Sequence, residues 1–217
     1  MFLKYARWVT DKYILVMLGL FPIFCGWREH AYKSITEAKF LFFLIATLLW
    51  LLAVLALLLI AALRKERMRP NVRPAHLAMG LFLLFGAVSA AASEYGSVCL
   101  LGAGRYDGYL MSVLYGAVFF GVSMLATPRP RYVWALGISA AVCCVIAWLQ
   151  LFGLDPFRLY PEGMNYYDKF ERLSAAFLGT IGNTGILAAY LTLAAPLTIV
   201  KPAAANSSPK FSAILFP

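Results

Sequence analysis

Long apolar runs without charge constrain this chain more than any other feature. A helix needs about 20 largely apolar residues to cross the hydrocarbon core of a bilayer, which is about 30 Å thick. The chain is 62% hydrophobic and only 13% charged, whereas soluble domains are about half apolar and a quarter charged. The sequence therefore predicts an all-α polytopic transmembrane bundle in a single domain of 217 residues. Its windows free of Asp, Glu, Lys and Arg are 13–27, 40–63, 74–93, 108–128, 132–154 and 173–200.

These windows predict about six spans. The last span is expected at 184–200, after Asn183, and the predicted outer loops are 28–39, 94–107 and 155–183. The first window has only 15 residues and contains Pro22, so it spans if the flanking cations extend outward to the headgroups. A cleaved signal peptide is the competing interpretation of this segment, but no small-residue cleavage site follows it.

The distribution of charge gives the predicted spans an orientation. With a cytoplasmic N-terminus, the inner segments carry twelve basic and two acidic residues, and the outer segments carry seven basic and eight acidic ones. Cytoplasmic loops retain Lys and Arg, so the N-terminus and the C-terminus are both predicted inside. The net charge of +9 thus needs no nucleic-acid partner, and membrane lipid is the expected neighbour of the basic segments.

The remaining chemistry predicted within the spans is sparse. No charged residue interrupts a window, which weighs against a transporter, because ion and proton pathways place ionisable groups inside the membrane. The cysteines have no metal-ligand spacing, so neither a metal nor a cofactor is expected. Unpaired packing thiols are favoured, although a Cys25–Cys99 disulfide is the alternative. The other two are Cys143 and Cys144.

Two predicted outer loops contain candidate binding residues. In the loop from Ser93 to Leu110, four glycines bring the backbone close to a partner, and Arg105 is a candidate phosphate ligand. The alternative is that Arg105 only pairs with a neighbouring carboxylate. In the loop 155–183, aromatic rings beside carboxylates are typical of sugar binding, although an interfacial aromatic belt explains them equally well. The sugar-contact candidates are Asp155, Tyr160, Tyr166 and Tyr167.

The start of the last predicted span is the third candidate. Asn183 is placed to cap a helix beginning near Thr184, and the N–H groups and dipole of such a helix favour an anion. Arg172 approaches from the same side, so the two residues are candidates for holding a phosphate. The alternative is that Asn183 only caps its helix and that Arg172 extends to lipid headgroups.

Three stretches resemble the O-antigen ligase and O-antigen polymerase superfamily of bacterial membrane proteins. They are G-R-Y-D-G with the span after it, W-L-Q-L-F-G-L-D-P-F at 148–157, and R-L-S-A-A-F-L-G-T-I-G-N-T-G-I-L-A-A-Y-L from Arg172 to Leu191. The last stretch departs from the family in having Thr184 and Gly185 where many members have Pro-Asn. The likeness covers nearly the whole chain, but only the N-terminal half of the family's architecture.

The resemblance implies a function at the outer face of the bacterial cytoplasmic membrane. Members transfer or polymerise glycans from an undecaprenyl-pyrophosphate carrier, and basic residues hold the pyrophosphate. By resemblance, Arg172 would contact the pyrophosphate and Arg105 would be a weaker candidate. The histidine that is implicated in the family's catalysis has no counterpart here, since neither His30 nor His76 matches it. The catalytic residues are therefore unassigned, and a truncated member is expected.

Two further interpretations remain open at the level of sequence. A noncatalytic membrane scaffold or subunit would complete a transferase by pairing with another membrane chain. A small-molecule transporter is the third and less favoured interpretation, because of the charge-free windows.

Overall fold

A computed structural model shows seven helices and one short strand pair in the part of the chain that it describes. That part comprises residues 1–26, 35–66, 72–103, 106–154, 157–159, 165–168, 171–174 and 178–205. The elements are α1 (Phe2–Gly19), α2 (Ile35–Leu63), α3 (Pro74–Ala91), α4 (Ser97–Leu101), α5 (Tyr109–Leu125), α6 (Pro130–Leu151), β1 (Asn165–Asp168), β2 (Glu171–Ser174) and α7 (Thr184–Ala205).

The chain divides into two compact units. The first unit consists of Met1–Ile14 and Thr36–Pro128, and the second consists of Leu15–Ile35 and Arg129–Pro217. Helix α1 therefore contributes its first part to one unit and its last turns to the other.

Three of the described helices are long and apolar enough to cross a membrane, namely α2, α3 and α6. At about 1.5 Å per residue they measure about 43, 27 and 33 Å, against a hydrocarbon core of about 30 Å. Two further apolar helical stretches are shorter, namely α5 and the part of α7 from Thr184 to Thr198. The helical membrane architecture expected from the apolar runs is thus confirmed in its coarse form, whereas the count of six spans and the orientation stay predictions.

Helix α1 differs from the first expected span. It begins at Phe2 and ends at Gly19, whereas the charge-free window runs from 13 to 27. The helix continues through a charged segment because its cations lie on an exposed side, while Asp11 is only 3% exposed. The charge-free window begins after Lys12 and therefore does not include this buried carboxyl group, which belongs to α1.

Aromatic and hydroxyl groups pack α1 against α2 in the first unit. The Thr10 hydroxyl donates to the Ala6 carbonyl at 2.9 Å and accepts from Nε1 of Trp50 at 3.1 Å. The Trp50 ring stacks on Tyr13 at a centroid distance of 4.5 Å, and the Tyr13 hydroxyl pairs with that of Thr47 at 2.9 Å. Since each of these polar atoms has a partner, the contact buries them without leaving an unpaired donor.

Two contacts join α3 to the two ends of α5. The Tyr109 hydroxyl donates to the Leu83 carbonyl at 2.8 Å, and a Cβ at Gly86 would lie only 2.9 Å from the Tyr109 ring. At the other end, the Arg73 amide donates to Nδ1 of His76, so the neutral ring carries its hydrogen on Nε2, which bonds the Ser123 hydroxyl. Both contacts give polar side-chain atoms a partner within the protein, because an apolar environment supplies none.

In the second unit, α6 packs against α7, and the two strands form an antiparallel pair. The strand pair lies within the expected outer loop 155–183, for which the sequence predicted no regular structure. Its register places Tyr166 opposite Leu173 and Tyr167 opposite Arg172.

Helices α2 and α6 end in the same hydrogen-bond motif. In α2 the amide of Glu66 bonds the Ala61 carbonyl and the amide of Lys65 bonds the Ala62 carbonyl, both at 2.9 Å. In α6 the amides of Leu154 and Gly153 make the equivalent bonds to Leu149 and Gln150. This Schellman motif pairs carbonyls that a helix end would otherwise leave open, and it requires one residue with positive φ.

The residue with positive φ differs between the two ends. Gly153 has φ +75°, which costs glycine nothing, whereas Lys65 has φ +54°, which crowds its Cβ against the backbone.

We expect the change Lys65→Gly to stabilise the protein by about 1 kcal/mol, because it relieves this crowding. Gly153→Ala should destabilise it by about the same amount for the converse reason. Thermal unfolding of the full chain in one detergent measures both. A lower midpoint for Lys65→Gly than for wild type contradicts the assignment.

The Glu66 side chain connects the end of α2 to the start of α1. Its two carboxylate oxygens accept hydrogen bonds from the amides of Phe2 and Leu3, at 3.0 and 3.2 Å, and it also contacts the Met1 amine. The hydrogen bond from that amine, followed by those from Leu3 and Phe2, lowers the pKa of Glu66. A carboxylate is favourable at a helix N-terminus because it pairs open N–H groups and complements the helix dipole.

The sign of the pH dependence follows from this lowered pKa. A carboxyl group with a lower pKa in the folded chain contributes stability above its unfolded pKa, which is about 4.3, and that stability is lost as pH falls through the folded value. We therefore expect wild type to lose more thermal stability than Glu66→Gln between about pH 6 and pH 3. Parallel melting curves with identical pH dependence would show that the contact contributes nothing.

Candidate functional site

The candidate site lies in the second unit, where the turn 178–183 precedes α7. This turn has the sequence L-G-T-I-G-N, and its first three residues are buried. Gly179 and Gly182 have φ values of +58° and +79°, so both occupy a region of backbone conformation that favours glycine. The amide of Gly182 closes the turn on the Leu178 carbonyl at 2.9 Å.

Gln150 joins this turn to α6. Its Oε1 accepts the Gly179 amide at 2.8 Å. Its Nε2 is buried and has no hydrogen-bond partner within the described part of the chain. The side chain thus positions the turn with one atom and holds an unused donor beside it with the other, and such buried unpaired donors are rare in folded proteins.

Thr180 anchors the same turn to the segment that follows α1. Its side chain is fully buried, and its hydroxyl donates to the Pro22 carbonyl at 2.9 Å, with the Cys143 sulfur 3.6 Å away. The Pro22 carbonyl lies just beyond the end of α1. One hydroxyl therefore satisfies a backbone acceptor and holds the turn in place.

Asn183 ends the turn and caps α7. Its Oδ1 accepts the Ile186 amide at 3.0 Å, and α7 begins at Thr184. This confirms the predicted cap, and Asn183 is exposed. Capping uses Oδ1 alone. The predicted role of Asn183 in anion binding stays a prediction.

A hydroxyl pair joins the middle of α7 to α6. The Ser139 and Tyr190 oxygens are 2.6 Å apart, and the Leu18 carbonyl is also 2.6 Å from Ser139. Ser139 is fully buried, and Leu18 is in the last turn of α1, whose carbonyls have no helical partner. This contact holds α7 in register with α6 below the turn.

An apolar groove of about 450 Å³ runs between α6 and α7. It starts one turn beyond the cap, since Leu187 and Leu191 form its α7 side. Trp148 is 64% exposed and lies on the α6 side. The other lining residues are Cys144, Val145 and Ala147. The groove has the size and polarity of a binding site for an aliphatic chain.

The structure places the predicted site residues unevenly. Arg172, Tyr166 and Tyr167 belong to the strand pair, whose backbone alone is described, and Tyr167 pairs with Arg172 in register. Arg105, Asp155 and Tyr160 lie outside the described residues. These assignments therefore stay predictions.

The glycine-rich loop belongs to the first unit. Tyr106 has φ +56°, and its ring stacks on Phe40 at a centroid distance of 4.2 Å. A Cβ at Gly102 would collide with the backbone of Asp107, 2.7 Å away, so the loop folds tightly back on itself. The glycines thus serve a compact turn, as the loop composition indicated.

Two results bear on metals and cysteines. Within the described ranges, no group of three His, Cys, Asp or Glu side chains is placed to hold a metal ion. All four cysteines are described, and each is a free thiol. Because Cys25 belongs to the second unit and Cys99 to the first, the choice between unpaired thiols and a Cys25–Cys99 disulfide stays a prediction.

Sequence reasoning missed the residues that build the site. It considered charged groups within the spans, whereas Gln150 and Thr180 are neutral. A glutamine within an apolar span is itself a signal, because its amide needs partners that lipid cannot supply. The partner of Gln150 is a backbone amide 29 residues away, which no local pattern indicates.

The fold and the site together define a helical membrane protein with a turn anchored between two helices. Compared with known proteins, the chain matches no family model, no curated protein and no solved structure. What the site does therefore has to be argued from its residues.

We expect Gln150→Leu to destabilise the protein by about 1–3 kcal/mol, because it removes the acceptor that the buried Gly179 amide bonds. Gln150→Glu is the matched control, since it keeps an acceptor at the same place and should cost less at a pH where the acid is protonated. Thermal unfolding, together with cysteine labelling of Cys143 behind the turn, measures the effect. Equal melting and equal labelling of wild type and Gln150→Leu rule out this role.

Proposed function

We propose that this chain is a multi-pass protein of the bacterial cytoplasmic membrane that binds a glycan carried on undecaprenyl pyrophosphate at the outer face. Its role is in the transfer or polymerisation of that glycan, as the resemblance to O-antigen ligases and polymerases implies. The observation that carries the proposal is the bond from Gly179 to Gln150, which unites two of the three resembling stretches at one site.

The chemistry of the site supports an anionic lipid as ligand. The unpaired Nε2 of Gln150 is a donor next to the turn, and the first amides of α7 are further donors with a favourable dipole. Arg172 would supply the charge, since a fixed cation stabilises the pyrophosphate as the glycosyl bond breaks. The groove that follows would take the first part of the carrier's isoprenoid chain.

A noncatalytic subunit is the second candidate function, and the state of His76 favours it. Both ring nitrogens are engaged, one with the Arg73 amide and the other with Ser123, and the side chain is 5% exposed. A general base needs a free nitrogen within reach of its substrate. In this role the chain would bind the carrier and pair with a membrane chain that supplies catalysis, and purification from native membranes would recover that chain in fixed stoichiometry.

We expect Arg172→Ala to weaken the binding of undecaprenyl pyrophosphate about 10- to 150-fold, the loss of one charged hydrogen bond worth about 1.5–3 kcal/mol. Arg158→Ala, at an exposed cation of the same predicted loop, is the matched control and should bind within about twofold of wild type. Calorimetry in detergent gives both affinities. Titration with undecaprenol, which lacks the pyrophosphate, measures the contribution of the isoprenoid chain alone. Unchanged binding by Arg172→Ala refutes the site.

Asn183 provides a test that separates capping from binding. Asn183→Asp keeps the capping oxygen and should leave the melting temperature unchanged or higher, but it places a negative charge against the anion. We expect it to weaken pyrophosphate binding about tenfold or more, whereas Asn183→Ser should keep both properties close to wild type. If Asn183→Asp binds as well as wild type, Asn183 acts only as a cap.

A further inference from the structure

Exposed cations lie on two segments of the first unit. Lys4, Arg7 and Lys12 project from the first three turns of α1, and all three are exposed. Arg64 and Lys65 follow the last residue of α2 and are exposed as well. Within the part of the chain that the structure describes, none of these five makes an ion pair.

The Glu66 contact makes one surface of these two segments. Because its carboxylate accepts from the amides of Phe2 and Leu3, the turn that carries Arg64 and Lys65 lies against the start of α1. We call Lys4, Arg7, Arg64 and Lys65 the basic surface. Lys12 lies further along α2, because the neighbouring Tyr13 pairs with Thr47.

The acidic groups on these segments do not neutralise the basic surface. Glu66 is engaged by the N-terminal amides of α1, and Asp11 is only 3% exposed. The accessible charge is therefore cationic, which fits an anionic partner.

Two aromatic side chains identify the kind of partner. Tyr5 and Trp8 are 52% and 58% exposed and lie among the cations, with the Lys12 amine 5.6 Å from the Trp8 ring centre. Exposed Trp and Tyr are enriched at the headgroup level of membranes, where their rings lie between apolar and polar layers. An acidic protein surface would not require them.

The position of α2 leads to the same partner. This helix is about 43 Å long against a hydrocarbon core of about 30 Å, and it ends at Leu63, directly before Arg64. A helix that crosses the core therefore brings Arg64 and Lys65 to a headgroup layer. The first turns of α1 lie at the same level, since Glu66 bonds the amides of Phe2 and Leu3.

We propose that the basic surface binds the phosphate groups of anionic phospholipids, with Tyr5 and Trp8 inserted between the headgroups. The site is distinct from the turn 178–183 and takes an ordinary bilayer lipid, so it is independent of the proposed function. Attraction to anionic headgroups amounts to about a fivefold gain in affinity for each Lys or Arg near the surface, and it decreases as salt screens the charges.

The test uses the full chain in a neutral detergent, titrated with phosphatidylglycerol, phosphatidylcholine or inorganic phosphate. Bound lipid is counted by native mass spectrometry. Wild type should retain phosphatidylglycerol in preference to phosphatidylcholine, and the preference should fall as salt is raised. The combined variant Lys4→Gln, Arg7→Gln, Arg64→Gln should lose roughly a hundredfold in affinity for phosphatidylglycerol. Inorganic phosphate should not compete at equal phosphate concentration, because it lacks the apolar part.

The matched control removes cations outside the basic surface. Lys33→Gln combined with Lys39→Gln and Arg158→Gln removes the same number of charges from the predicted outer loops and should bind within about threefold of wild type. The proposal is overturned if the triple variant retains phosphatidylglycerol as wild type does, which is the result expected of a surface for an acidic protein. It is equally overturned if the control loses as much as the triple variant, which would show a general effect of net charge.

A second measurement covers the case in which the triple variant unfolds. In vesicles with brominated phosphatidylglycerol, Trp8→Phe should remove part of the tryptophan quenching seen for wild type. The same vesicles made with brominated phosphatidylcholine should show less quenching. If the total quenched fluorescence is the same for Trp8→Phe and wild type, Trp8 lies away from the anionic lipid and the proposal is rejected.

Discussion

The pairing of backbone groups at helix ends organises this structure. A helix leaves its first amides and last carbonyls without helical partners, and an apolar environment cannot replace those partners with water. Glu66 accepts from the first amides of α1, Ser139 donates to the Leu18 carbonyl near the end of α1, and Thr180 donates to the Pro22 carbonyl beyond that end. Asn183 serves the start of α7. Each of the first three partners comes from a distant part of the chain, so satisfying a helix end also fixes the packing.

This constraint changes the meaning of the residues that carry the family resemblance. Gly153 is the residue with positive φ at the end of α6, and Asn183 is a helix cap, so both have structural roles that any ligand would leave in place. Gln150 is different, because one atom of its amide positions the turn and the other has no partner among the described residues. Backbone conformation and capping account for the glycine and the asparagine, whereas a buried donor without a partner among the described residues indicates a further interaction.

Charge has a separate role at the membrane surfaces. The positive-inside pattern concerns the number of cations on each side, and a count says nothing about which cations lie together. In the first unit, Glu66 joins two basic segments that are about 60 residues apart in sequence, and Asp11 is buried. Glu66 thus takes part in the C-terminal motif of α2, accepts from the first amides of α1 and brings the two basic segments into one surface suited to anionic headgroups.

The sequence by itself determined the helical membrane class and the cap at Asn183, because apolar run length and capping chemistry are local properties. The charge-free window 13–27 did not indicate that α1 begins at Phe2, since a charge count cannot tell that Lys4 and Arg7 are exposed while Asp11 is buried. Only the tertiary structure decided that Gln150 holds the turn at Gly179 and that Glu66 meets Phe2. The physical reason is that these partners are backbone amides, which every residue possesses, so only the fold selects the one that is paired.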